Sequence, residues 1–121
     1  MYRILLVDDE SAPLADLQKE LKQINSNWDV LIATGGKQAM DFFRHQKVDI
    51  TISDLNMPVM NGVQLLSLIR AECPGCMRIA IIDPKDIHQY QNIALAAHQF
   101  IAKPWSIRDV AAKIYQLHGL S

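Results

Sequence analysis

The sequence predicts an α/β domain whose parallel sheet carries helices on both faces, and three observations predict it. Three apolar runs end in charge: Ile4-Leu5-Leu6-Val7 runs into Asp8-Asp9-Glu10, Ile50-Thr51-Ile52-Ser53 into Asp54, and Phe100-Ile101-Ala102 into Lys103-Pro104. Short aliphatic or β-branched runs bounded by polar residues read as strands buried on both faces, the habit of parallel sheets. Strand-like runs alternate five times with helix-spaced segments, and no linker, repeat or low-complexity tract interrupts them.

Residues 2–7 make the first strand. Pro13 stands where a first helical turn tolerates it, and Leu14, Leu17, Leu21 and Ile24 follow at helical spacing. Val30 to Ala33 form the second strand, closed by Gly35-Gly36; Lys37 to about Gln46 form a helix with Ala39, Met40 and Phe43 inward. Residues 49–53 are the third strand, and the loop from Leu55 to Gly62 leads into a helix carrying Leu65, Leu66 and Ile69. Ile79 to Ile82 is the fourth strand. A weaker helix spans Asp86 to Ala97, with Ile87, Tyr90 and Ala94 as its stripe, and His98 to Ala102 is the fifth strand. Ile107, Val110, Ala111, Ile114 and Leu117 mark a last helix ending near Gly119.

With 121 residues, half of them hydrophobic and 21% charged, the chain reads as one domain over residues 1–121. A net charge of −1 gives no electrostatic case for binding nucleic acid or an anionic membrane. The apolar runs are too short to span a bilayer. Met1-Tyr2-Arg3-Ile4 enters a strand without a signal-peptide pattern, so a cytoplasmic protein is expected. Cys73-Pro74-Gly75-Cys76 has no second pair and no histidine at ligand spacing, and it follows a helix instead of opening one. It reads as a Pro-Gly turn flanked by cysteines. The four histidines read as surface or strand-edge residues.

In an open parallel sheet the functional crevice lies beyond the carboxyl ends of the strands. If the three charged strand ends are neighbours, Asp8, Asp9, Asp54 and Lys103 converge at one edge. Carboxylates gathered there raise one another's pKa unless a cation is present. Hard oxygen donors in a partly open cluster suit Mg²⁺, and a metal beside a carboxylate and a lysine suits phosphate. Singly, Asp8 and Asp9 are also ordinary caps for the first helix, Asp54 a turn former and Lys103 a surface charge. Their joint placement on neighbouring strand ends is what points to a site.

The chain resembles, from end to end, the receiver domains of two-component response regulators. The residues that carry the resemblance are Val7-Asp8-Asp9-Glu10, then Asp54-Leu55-Asn56-Met57-Pro58-Val59-Met60-Asn61-Gly62, then Lys103-Pro104. The stretch His98 to Trp105, with Arg78-Ile79-Ala80 before it, is similar to receivers attached to HD-type output domains. The resemblance implies a flavodoxin-like sheet of order 2-1-3-4-5, with the site at the switch point between strands 1 and 3. It makes Asp54 the phospho-acceptor, and Asp9, Asp54 and the backbone carbonyl of Asn56 the ligands of Mg²⁺, with Asp8 assisting through water. Lys103 would pair with the acceptor and then with a phosphate oxygen, aimed by a cis Lys103-Pro104 bond. Gly62 would supply a conformation other residues resist.

The resemblance implies a signalling domain, not an enzyme; an aspartate phosphatase would want an acid where Asn56 stands. The implied partners are a sensor histidine kinase or phosphotransfer protein, a linked or separate output domain, and a second copy in a homodimer. Trp105 is either core or an exposed anchor for a partner. One departure matters. Receivers usually carry Thr or Ser, then a small residue, at the end of strand 4, and these positions fall on Ile82 and Asp83. Ile82 has no hydroxyl for a phosphoryl oxygen, and Asp83 brings a carboxylate where an open N–H is wanted. Phe100 holds the aromatic switch position. The alternative is therefore a phosphorylation-independent interaction or dimerisation module.

Overall fold

A computed structural model describes residues 1–90 and 92–118. The chain runs β1 (Tyr2–Val7), α1 (Ser11–Ile24), β2 (Trp28–Ala33), α2 (Gly36–His45), β3 (Ile50–Asp54), α3 (Gly62–Glu72) and β4 (Met77–Ile82). A 3₁₀ helix (Pro84–Gln89), α4 (Ile93–Ala96), β5 (Gln99–Ala102) and α5 (Ile107–His118) complete it. The sheet is parallel with order β2-β1-β3-β4-β5, as the resemblance implies.

Consecutive strand residues bury on opposite faces, which is why these runs are mostly apolar, with Thr51, Ser53 and Arg78 buried among them. Ile4, Leu6, Ile50, Ile52, Ile79, Ile81 and Ile101 meet α1 (Leu14, Leu17, Leu21) and α5 (Val110, Ile114). Leu5, Val7, Ala80 and Ile82 meet α2 (Ala39, Met40), α3 (Leu65, Leu66, Ile69) and α4 (Ala96). Each such aliphatic side chain contributes about 1.5–3 kcal/mol on full burial, so both faces are needed to hold the central strands.

Two strands start earlier than the sequence predicts. Trp28 and Asp29 pair with Tyr2 and Arg3, and Arg3 Nε meets Asp29 Oδ2 at 2.8 Å; Met77 pairs with Ile50. The larger correction is the fourth helix. The segment predicted as one helix over 86–97 is a 3₁₀ helix followed by a single turn, Ile93–Ala96. Pro84 follows Asp83, whose carboxylate accepts the Lys85 N–H at 3.1 Å and starts a tight turn. Asn92, at φ 64° and ψ 22°, then breaks the helical path. The predicted end of the last helix, near Gly119, lies outside the described residues.

The cysteine segment is the turn expected of it. Cys73 caps α3, the Cys76 N–H donates to the Cys73 carbonyl at 3.0 Å, and burial pushes the Cys76 thiol up to about 11. No helix among the described residues is long and apolar enough to cross a membrane.

Candidate functional site

The sheet register brings the charged strand ends together. Val7 pairs with Ser53, Asp54 with Ile81, and Ile82 with Ala102, so Asp8 and Asp54 leave neighbouring strands and Lys103 leaves β5, one strand beyond β4, all at the same carboxyl edge. Lys103 Nζ donates to Asp54 Oδ2 at 2.7 Å, and the Asn56 N–H donates to Oδ1 at 3.0 Å. Both acceptor oxygens are thus held, and the Asp54 side chain is only 8% exposed against 37% for Lys103. The Lys103 N–H donates to the Ile82 carbonyl at 2.8 Å, and Lys103-Pro104 is cis. Burial opposes the Lys103 charge, but the hydrogen bond and charge of Asp54, with Asp8 and Asp83 behind them, raise its pKa on balance.

Asp8 lies half-buried beside this pair, and Asp9 is exposed at the rim. Neither caps α1: its N-cap is Glu10, without a side-chain cap, and the Asp8 carboxylate accepts the Glu10 N–H at 3.3 Å. Burial, a side-chain hydrogen bond with Asp9 and the charge of Asp54 push Asp8 from 3.8 to about 6. Burial first, and then the neighbouring carboxylates, disfavour an ionised Asp8, and a bound cation would relieve both. Among the described residues no three acidic, His or Cys side chains close a metal site by themselves. The donor set still fits Mg²⁺, which takes one or two carboxylates and fills its remaining positions with water and substrate oxygens.

The raised Asp8 pKa has a consequence for the stability of the metal-free protein. Below pH 3.8 Asp8 is neutral whether the chain is folded or not. Between 3.8 and about 6 the folded state keeps a proton that the unfolded chain releases, so stability falls as pH rises and the loss is complete above 6. Asp8→Asn removes that loss. It is expected to be more stable than wild type by about 1–2 kcal/mol at pH 7, after discounting for solvent, and equal to it near pH 3.5. Urea unfolding at the two pH values checks this.

Two cavities flank Asp54. One, of about 60 Å³, lies toward α1 and is lined by Asp8, Pro13, Leu17, Lys103 and Trp105. Trp105 is half-buried and packs on the α1/α5 core, which places its ring with the core. The other, of about 100 Å³, is lined by Asp54, Asn56, Asp83, Lys85, Tyr90 and Lys103. Ile82 is buried on the α3 side and offers no hydroxyl, as its type dictates. The Asp83 carboxylate does line this second cavity, but it is compensated: Lys85 holds it through its N–H and through Nζ at 3.8 Å. Phe100 stands 38% exposed on β5.

The loop before α3 departs from the sequence expectation at Gly62. Gly62 does not use a left-handed backbone; it is required by close approach, since a Cβ there meets the Asp54 carbonyl oxygen and, at 2.6 Å, Leu55 Cα. The strained residue is Val59, fully exposed at φ 68°, the centre of a turn in which the Met60 N–H donates to the Pro58 carbonyl at 2.7 Å. Val59→Gly is expected to stabilise the protein by about 0.5–1 kcal/mol, relief of left-handed strain exceeding glycine's added chain entropy. Chemical denaturation measures it. Sequence reasoning misses Tyr90 and Lys85 as site residues altogether, because the helical stripe places Tyr90 in the core.

The family model of the response regulator receiver domain matches residues 4–115. The transcriptional regulatory protein PrrA of Mycobacterium tuberculosis is 29% identical over 118 residues, covering 95% of this chain and 49% of that protein. The chain spans about half the length of the curated relatives it matches. The response regulator TrrA of Thermotoga maritima, solved with Mg²⁺ and beryllofluoride, superposes with a TM-score of 0.82 at 25% identity over 97% of this chain and 99% of that one. A receiver domain of an HD domain-containing protein from Pseudomonas fluorescens does so with a TM-score of 0.77 at 27% identity, over 95% and 92%. With matching sheet order and the charged strand ends in place, the chain belongs to the receiver domains of two-component response regulators.

Proposed function

We propose that Asp54 accepts a phosphoryl group from a histidine kinase or phosphotransfer protein, and that the chain is a signalling receiver and not an enzyme with turnover of its own. The observation that carries this is the Asp54 carboxylate held between the Lys103 ammonium at 2.7 Å and the Asn56 N–H at 3.0 Å, at the carboxyl edge of the sheet. In the transfer one Asp54 oxygen bonds to phosphorus as the phosphorus–nitrogen bond to the donor histidine breaks. Lys103 then turns from the carboxylate to a phosphoryl oxygen, so its charge stays where negative charge builds up. Asp9, Asp54 and the Asn56 carbonyl would hold Mg²⁺, with Asp8 through water, and the bound ion would neutralise the phosphoryl oxygens. An intact Asp54–Lys103 pair supports this reading over one in which the fold serves only as an interaction surface. The length of the relatives supports an output domain, linked or separate, and such partners meet in the cytoplasm.

Intact-mass spectrometry after incubation with acetyl phosphate and Mg²⁺ is expected to show one phosphoryl adduct, absent in Asp54→Asn and in EDTA. An adduct that survives in Asp54→Asn puts the acceptor elsewhere.

A further inference from the structure

The cavity of about 100 Å³ beside Asp54 has room for several waters and is walled almost wholly by charged or polar groups. Tyr90 supplies the one hydroxyl among its lining residues. Strand 4 supplies none, because Ile82 turns its side chain into the apolar layer beneath α3 and α4. The chain reaches this arrangement locally. The Asp83–Pro84 turn and the 3₁₀ helix carry it out from β4, and the left-handed Asn92 carries it back into α4. Between them the Tyr90 ring packs against that same apolar layer, and its hydroxyl has no hydrogen-bond partner among the described residues. Burial, Asp86 and Asp54 disfavour loss of the phenolic proton, while Lys103 favours it. Tyr90 therefore shares one small cavity with both members of the Asp54–Lys103 pair, and its phenol keeps its proton to donate.

We propose that the Tyr90 hydroxyl donates a hydrogen bond to the phosphoryl group on Asp54, the contact that Ile82 is unable to make. This rests on Asp54 as the acceptor. The donor has moved from the strand end to the segment that follows it, so phosphorylation is read out by residues 84–90 and α4. Lys85, already engaged by Asp83, lines the same wall and adds charge without direction.

The test is beryllofluoride, a phosphoryl mimic, titrated with Mg²⁺ into the full chain and followed by calorimetry and by the Tyr90 Cζ resonance. Tyr90→Phe keeps the ring's packing, so thermal unfolding is expected to stay at the wild-type midpoint. Its beryllofluoride affinity is expected to fall roughly tenfold or more, the worth of a hydrogen bond to a charged group. In wild type the Tyr90 resonance shifts on saturation. Tyr90→Phe binding as tightly as wild type, or an unmoved Tyr90 resonance at saturation, overturns the proposal while leaving Asp54 as the acceptor, provided Asp54→Asn fails to bind. Wild type and Asp54→Asn behaving alike overturns the acceptor assignment, and this inference with it.

Discussion

Lys103→Met is expected to slow phosphoryl acceptance by Asp54 about 10²–10³-fold, the usual effect of deleting one fixed donor from a site where charge develops. The ammonium sits 2.7 Å from an Asp54 side chain that is 8% exposed, so water does little to replace it. Its place is fixed at both ends of the residue: the backbone N–H is tied to the Ile82 carbonyl, and Nζ to Asp54. Methionine keeps the apolar stem and removes only the charge, leaving Asp54 Oδ2 without its ammonium partner. Lys103→Arg is expected to restore little, because a planar guanidinium on a longer stem does not reproduce a point charge on one oxygen. Phosphorylation rates with acetyl phosphate, set beside thermal unfolding of each variant, separate the chemical loss from any loss of fold. A methionine variant phosphorylated at the wild-type rate would remove Lys103 from the chemistry.

The parts of this site that are legible in the sequence are those that strands position. β1 and β3 bury most of their residues on both faces, and Asp8, Asp54 and Lys103 stand where β1, β3 and β5 end; the register leaves those ends little freedom. Asp8, Asp54 and Lys103 accordingly stand where their spacing in the sequence puts them. The segment after β4 follows different physics. Ile87, Tyr90 and Ala94 sit at helical spacing, yet Pro84 and the Asp83 cap favour a tight 3₁₀ turn, and Asn92 adopts a left-handed backbone that periodicity does not reveal. Ile87 ends 48% exposed, Ala94 is exposed as well, and of a stripe with the spacing of a core face Tyr90 alone lines the cavity beside Asp54. Gly62 shows a third kind of loss. Glycine in a loop suggests an unusual backbone, but nothing local in the sequence tells a left-handed turn from a place where another chain segment passes within van der Waals distance.

That distinction makes Gly62→Ala the second large effect, an expected loss of about 2–3 kcal/mol in unfolding free energy, the size of a core overpacking. The added Cβ would meet the Asp54 carbonyl oxygen, Leu55 Cα at 2.6 Å and Leu55 Cδ2 at 2.8 Å. The first two are backbone atoms at the end of β3 and cannot rotate away. The other side is equally fixed: the Gly62 N–H donates to the Leu55 carbonyl at 2.9 Å, and Asn61 and Gln64 cap α3 reciprocally, each side chain on the other's N–H at 2.9 Å. Either α3 or the end of β3 must shift. Alanine's better helix propensity, about 1 kcal/mol over glycine, does not offset that. Because the displaced backbone belongs to Asp54 and Leu55, phosphoryl acceptance is expected to fall along with stability. Gly75→Ala serves as the control, since a Cβ there meets nothing within 4 Å, and it should leave both quantities unchanged. Urea unfolding of the two variants decides between close approach and a tolerant loop: a Gly62→Ala loss below about 0.5 kcal/mol, the range of an ordinary surface change, would mean that the loop yields and that Gly62 does not position the acceptor.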